Sequence, residues 1–175
     1  MALITIIPLE NTLESEYKKY LETYNDFWKR SVFFETIPKD KFTYKSENLK
    51  LLNRAISEKD RELLDFCVDV SYYDGLDRDY AELLNGVLLE RWHDQQEDIV
   101  NSVYLKFPDP IFTDALLEIA IKRKVYRRCD HETEATLRKC VHALIAIGTP
   151  DADVALGKIK SLKNKNVEAV LEMYK

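Results

Sequence analysis

Turn-forming residues are scarce in this chain of 175 residues: glycine occurs four times and proline five. An all-β domain reverses direction often and needs many such residues, so long helices joined by few tight turns are expected instead. Cysteine is sparse as well. Cys67, Cys129 and Cys140 are an odd number in a chain long enough to bury a core without cross-links, which fits a reducing compartment and points to the cytoplasm. No apolar run approaches the roughly 20 residues that cross a bilayer, so no membrane association is expected. The opening "MALITIIPLE" is apolar from Ala2 to Leu9 but has neither a basic leading segment nor a small-residue cleavage site, and is not read as a secretion signal. The chain also lacks a phosphate-binding P-loop, a GxGxxG fingerprint and a GxSxG elbow. No cofactor and no small-molecule substrate are expected.

What is present is a well-mixed globular composition, 46% hydrophobic and 33% charged. The net charge of −5 is unevenly placed. Thirteen carboxylates and only four basic residues lie between Glu58 and Asp98, giving that stretch −9 and the rest of the chain +4. The densest basic run is "KRKVYRR", Lys122 to Arg128. An acidic middle repels nucleic acid and attracts a basic partner.

Apolar spacing predicts helices throughout. Leu13, Tyr17, Tyr20, Leu21, Tyr24, Phe27 and Trp28 form one helical face over 12–30. "SVFFETIPKDKFTYK" breaks the pattern. A helix capped by Ser46 follows, then one starting at Ser57, a turn through Asp74-Gly75, and a helix from Arg78 to about His93. A short last helix is expected over Val167 to Tyr174. The chain also matches itself at an offset of 40 residues. Asp109-Pro110 and Thr149-Pro150 each place a capping acceptor before a proline at the first helical position. At that offset Val100 aligns with Cys140, Val103 with Ala143, Tyr104 with Leu144, Phe107 with Ile147, Ala115 with Ala155, Leu116 with Leu156 and Ile119 with Ile159. Gly148 fits the left-handed position that closes a helix. Such a period, with a helix on each side of a short turn, marks a HEAT-like or armadillo-like array.

Three constellations invite a chemical reading. In "RWHDQQEDIV" His93 stands beside Asp94, as in an acid–base pair. The same residues also fit a helix joint, with Asp94 and Glu97 at capping-box spacing, Asp98 in the first turn, His93 closing the helix before and Trp92 packed into the joint. The joint explains more residues, so no catalytic role is expected. Cys129/His131 and Cys140/His142 suggest zinc by residue type. Residues two apart on a helix diverge, however, and no metal is expected. The run "KRKVYRR" offers phosphate contacts, with Tyr126 to stack on a base, but it is one short patch in an acidic chain and nucleic acid is not the expected partner. By contrast, "DVSYYDGLDRDY" mixes aspartates with tyrosines at a turn, the composition of a protein-binding surface for a basic partner.

The segments "LLERWHDQQEDIVNSVYLKFPDP", "DALLEIAI" and "RKCVHALIAIGTPDADVALGKIKSL" resemble small bacterial HEAT-repeat proteins over roughly residues 80 to 170, and the "WHxxxED" joint resembles that of toxin-immunity proteins such as those of contact-dependent growth inhibition. Gln96 stands where a second histidine of that pattern is expected, which counts against a His-based site. The resemblance implies an all-α superhelix of about eight or nine helices in a single domain, 1–175. It implies that residues 1–56 form an irregular helical cap and 57–175 HEAT-like pairs. It implies a non-enzymatic cytoplasmic immunity protein that plugs the basic active site of a cognate toxin, most simply a nuclease. The expected contact residues are Asp69, Tyr72, Tyr73, Asp74, Asp77, Asp79, Trp92, His93, Asp94, Glu97 and Asp98. A HEAT-type scaffold without a toxin, and a HEAT-like DNA glycosylase, are the alternatives.

Overall fold

The computed structural model describes residues 12–23, 32–34, 44–128 and 130–175. Among these the chain is all helical, with no strand. The helices are α1 (Leu13–Thr23), α2 (Lys45–Glu58), α3 (Arg61–Asp74), α4 (Arg78–Leu88) and α5 (Gln96–Lys106). A 3-10 turn at Pro110–Phe112 leads into α6 (Thr113–Ile121), and α7 (Arg123–Tyr126), α8 (Ala135–Ile147), α9 (Pro150–Lys160) and α10 (Lys165–Glu172) follow. No helix among the described residues is long and apolar enough to cross a membrane.

The helices pack in two rows. In one, α1 touches α3, α3 touches α5, α5 touches α8, and α8 touches α10. In the other, α2 touches α4, α4 touches the 3-10 turn, and α6 touches α9. Contacts of α3 with α2, α5 with α4, and α8 with both α6 and α9 join the rows. Between them runs one continuous core in which Tyr20, Phe66, Tyr80, Phe112, Leu84, Leu116 and Leu144 are fully buried.

The repeat seen in the sequence is a repeat of packing. Val100 and Cys140, Val103 and Ala143, Ala115 and Ala155, and Ile119 and Ile159 are buried pairwise in α5/α8 and α6/α9. Both proline hinges form as expected. Asp109 accepts a hydrogen bond from the Ile111 amide at 2.9 Å and Thr149 one from the Ala152 amide at 3.3 Å. Gly148 closes α8 at φ 62°, in the left-handed region that favours glycine.

Several boundaries differ from the sequence expectation. Helix α3 starts at Arg61, with Asp60 rather than Ser57 as its cap; Asp60 accepts from the Leu63 amide at 3.0 Å, while the Ser57 hydroxyl turns back to the Arg54 carbonyl. Ser46 lies inside α2, which starts after Tyr44. Helix α4 ends at Leu88 instead of about His93, and the last helix runs from Lys165 to Glu172. The expected helix over 12–30 is described as far as Thr23; the rest lies outside the described residues.

Candidate partner-binding surface

The two acidic stretches singled out in the sequence lie at opposite ends of α3. Arg61, the first residue of α3, is ion-paired with Asp94, whereas Asp74 is its last residue. At about 1.5 Å per residue, 14 residues separate the two ends by roughly 20 Å.

At the far end, the α3–α4 turn presents Tyr72, Tyr73, Asp74, Asp77 and Asp79. Asp77 caps α4 through the amides of Asp79, at 3.2 Å, and Tyr80, at 3.5 Å. Lys45, at the start of α2, pairs with Asp77 and also with Asp79, the latter at 2.7 Å. The two carboxylates draw the Lys45 pKa up. Burial opposes ionisation of Asp77, but the Lys45 bond and the two amides outweigh it and hold its carboxyl below the usual value. The buried Tyr80 hydroxyl donates to Asp74 at 2.8 Å and accepts from the Asn48 amide at 3.3 Å; burial pushes its pKa up. Arg78 reaches Asp109 at 2.9 Å and Glu82 at 3.2 Å.

Beside this turn, Tyr73 stacks on Phe34 with centroids 5.5 Å apart and remains 40% exposed. Lys106 of α5 lies 4.4 Å over the Tyr72 ring. Asp69, half-buried, is one helical turn before these tyrosines on α3. An aromatic, carboxylate-rich surface therefore does form here, with its carboxylates partly neutralised by Lys45 and Arg78.

At the near end the joint is differently made. His93 is 2% exposed. Its Nε2 lies 3.0 Å from the Val87 carbonyl and its Nδ1 accepts the Gln95 amide at 3.0 Å. A carbonyl can only accept and an amide can only donate, so the ring is the neutral tautomer with its hydrogen on Nε2. Burial accordingly pushes its pKa below the usual imidazole value. His93, expected to close the preceding helix, instead lies beyond its end at Leu88 and is a neutral clip that ties the joint to the last turn of α4.

The expected capping box is absent too. Helix α5 starts after Gln95, which makes no side-chain cap, because the chain stays irregular through Gln95 and takes Asp94 out of register. Asp94 pairs with Arg61, and Glu97 with Lys139 of α8 at 2.8 Å. Gln96 donates to the Glu90 carbonyl at 2.9 Å, and Trp92 sits edge-on to His93, half-buried. Asp98 is exposed on the first turn of α5.

The basic run proved to be more than a solvated loop. Arg127 is 5% exposed. Its Nε and Nη2 donate to the carbonyls of Ile119 and Ala120, at 3.0 and 2.8 Å, satisfying the end of α6. Its Nη1 reaches Asp130 at 3.0 Å and Glu134 at 3.2 Å. Asp130 in turn accepts the Thr136 amide, at 3.0 Å, and hydroxyl, at 2.7 Å, and so caps α8. Glu134 accepts from Asn164 at 2.6 Å and Asn166 at 3.0 Å, which fixes the start of α10. Burial opposes ionisation of both carboxyls, yet these hydrogen bonds and the guanidinium hold both below the usual range. A small cleft of about 60 Å³ separates this loop from the joint, with Arg91 and Arg128 among its lining residues.

Cys140 and His142 diverge, as their spacing requires. Cys140 is fully buried, which pushes its thiol up to about 12. His142 stacks on Tyr104, centroids 5.1 Å apart, and its Nδ1 lies 2.7 Å from the Tyr174 hydroxyl. Cys129 lies outside the described residues. The Tyr104–His142–Tyr174 cluster was not foreseen, because its members are 38 and 32 residues apart in the chain.

A scan of protein-family models and searches of curated proteins and of solved structures return no match for this chain.

Proposed function

We propose that this protein is a HEAT-like α-solenoid that works by binding another protein, and that its partner is a cognate toxin with a basic surface, which it neutralises as an immunity protein. The observation that carries the binding reading is the α3–α4 turn, where partly exposed Tyr72 and Tyr73 sit beside Asp69, Asp74, Asp77 and Asp79. Tyrosine supplies rigid contact area and carboxylates steer a basic partner. The alternation of the two rows of helices supports the solenoid reading, since such arrays present extended surfaces. The toxin itself comes from the sequence resemblance, and a nuclease suits an acidic plug because nucleic-acid clefts are basic. In this reading Asp98 and Trp92 extend the contact, while His93, Asp94 and Glu97 hold the joint in shape. No catalytic group is assigned.

The test asks whether a neighbouring gene encodes a toxin domain and, with that domain purified, measures its binding. Stopped-flow association should slow with rising salt, and Asp74, Asp77 and Asp79 changed together to Lys should weaken binding and remove protection of growing cells. Full-affinity binding and full protection by the triple variant would overturn the surface assignment.

A further inference from the structure

The cleft between the joint and the basic loop holds positive charge that its own lining does not balance. Its walls come from distant parts of the chain. Arg91, Asp94 and Glu97 belong to the joint and the start of α5, and Arg127, Arg128 and Asp130 to the loop before α8. Each of the three carboxylates has a cation of its own: Asp94 pairs with Arg61, Glu97 with Lys139 and Asp130 with Arg127. Arg91 and Arg128 have no such partner. Both are exposed, and neither makes a hydrogen bond or an ion pair with a described residue. Two guanidinium charges are therefore left over, one on each wall.

A third guanidinium lies deeper. Arg127 is 5% exposed, and its five N–H groups have four acceptors: the carbonyls of Ile119 and Ala120 and the carboxylates of Asp130 and Glu134. One hydrogen on Nη2 has no acceptor among the described residues, on a side chain that lines the cleft. Buried donors are nearly always bonded. The start of α5 adds to the same field. It has no side-chain cap, and its first two residues, Gln96 and Glu97, line the cleft. The first amides of a helix carry partial positive charge and need acceptors.

A single exposed arginine is commonly just solvated. Two without partners on facing walls, with a buried guanidinium lining the same cleft, repel one another, and an anion held between them turns that repulsion into attraction. The cleft of about 60 Å³ takes one small ion and no base or sugar. Guanidinium forks match a tetrahedral oxyanion, and two surplus positive charges match a dianion. Phosphate, free or as a monoester, meets both conditions, whereas a carboxylate or a phosphodiester carries a single charge.

We propose that this cleft binds one phosphate dianion, free or as the terminal group of a small phosphorylated molecule, between Arg91 and Arg128 and against Arg127. The site goes beyond the partner-binding reading, does not depend on it, and adds a small ligand where the sequence led to none being expected.

The 15N-labelled full chain is titrated at pH 8 and constant ionic strength with inorganic phosphate, methyl phosphate and dimethyl phosphate. Above its second pKa of about 6 a monoester is a dianion, while the dimethyl ester keeps the tetrahedral shape with one charge. Inorganic and methyl phosphate should move the amides of Gln96, Glu97 and Arg128 saturably, and dimethyl phosphate should bind at least tenfold more weakly. Tighter binding of the inorganic ion identifies free phosphate as the ligand, and tighter binding of the methyl ester a phosphorylated molecule; either upholds the site. R91Q/R128Q should lose at least tenfold in affinity yet melt as the wild type does, since neither side chain bonds to the described residues. Phosphate should raise the melting temperature of the wild type and not of this variant. R91K/R128K, which keeps both charges and loses the forks, should bind severalfold more weakly than the wild type. Lys124→Gln, an exposed cation of the same basic run outside the cleft lining, should leave binding unchanged. Equal binding of dimethyl phosphate, an unchanged affinity in R91Q/R128Q, or an equal loss in Lys124→Gln would overturn the proposal. A single-stranded oligonucleotide that binds more tightly than methyl phosphate, and is weakened alike by R91Q/R128Q and Lys124→Gln, would make the run a nucleic-acid surface and overturn it equally.

Discussion

The loop from Lys122 to Glu134 and the turn from Asp74 to Asp79 are both short, charged connections, one opening on a basic run and the other acidic. Their charges are put to opposite uses. In the loop, Arg127, Asp130 and Glu134 are buried and bonded to one another and to the ends of α6, α8 and α10. In the turn, Lys45, Asp77 and Asp79 pair at the surface, with side chains 39%, 42% and 64% exposed. A charge taken out of water must find complete hydrogen bonding, whereas one left in water gains little from its partner. Charge density in a sequence therefore says little about whether a connection is a fastener or a contact surface.

The sharpest way to break this comparison is to remove the buried guanidinium. Arg127→Met strands two buried carboxylates and frees the last carbonyls of α6, and should cost about 3–5 kcal/mol in urea denaturation. Because Asp130 and Glu134 have lowered folded pKa values, wild-type stability from them is complete above the ordinary carboxylate range. It is lost as pH falls below about 4 through those lower values. In the variant, acid neutralises the stranded carboxylates, so the difference from wild type should shrink on acidification. A deficit that stays constant from pH 7 to pH 3 would mean that the guanidinium acts only on the carbonyls of α6.

The joint at His93 should show an intermediate effect. His93→Gln removes a doubly bonded buried ring and should cost about 1–3 kcal/mol at pH 7.5. The folded pKa of His93 lies below its unfolded value, so its contribution is complete above about pH 6.5 and declines as pH falls below that. Thermal melts should show a steeper decline between pH 7 and 5.5 in the wild type than in His93→Gln, where His142 alone keeps an imidazole pKa lowered by burial.

Smallest of all should be Lys45→Ala at the acidic turn. Its ion pairs are exposed, so the urea midpoint should stay within error while association with a basic partner quickens, because a screening cation is gone. A large loss of stability instead would place this turn in the same class as the Arg127 loop.

The two hinges were legible because their signals are local. Asp109-Pro110, and Gly148 followed by Thr149-Pro150, each need only neighbours within one turn to act. The false capping box shows the limit of such signals. Asp94 and Glu97 have the spacing, but Arg61 and Lys139, 33 and 42 residues away, take both carboxylates. The tyrosine-rich turn was likewise visible, while the cleft between the joint and the basic loop was not, since Arg91 and Arg128 come from two segments and either alone is an ordinary exposed cation.

The sequence by itself determined the helical class, the forty-residue repeat and the chemistry of its hinges, because periodicity and capping act over a few residues. Only the tertiary structure decided which charges are buried, which nitrogen of His93 carries its hydrogen, and that the two acidic stretches lie at opposite ends of α3. Those outcomes depend on partners brought from distant parts of the chain, and burial, which sets the cost of a charge, exists only once the rows of helices have packed.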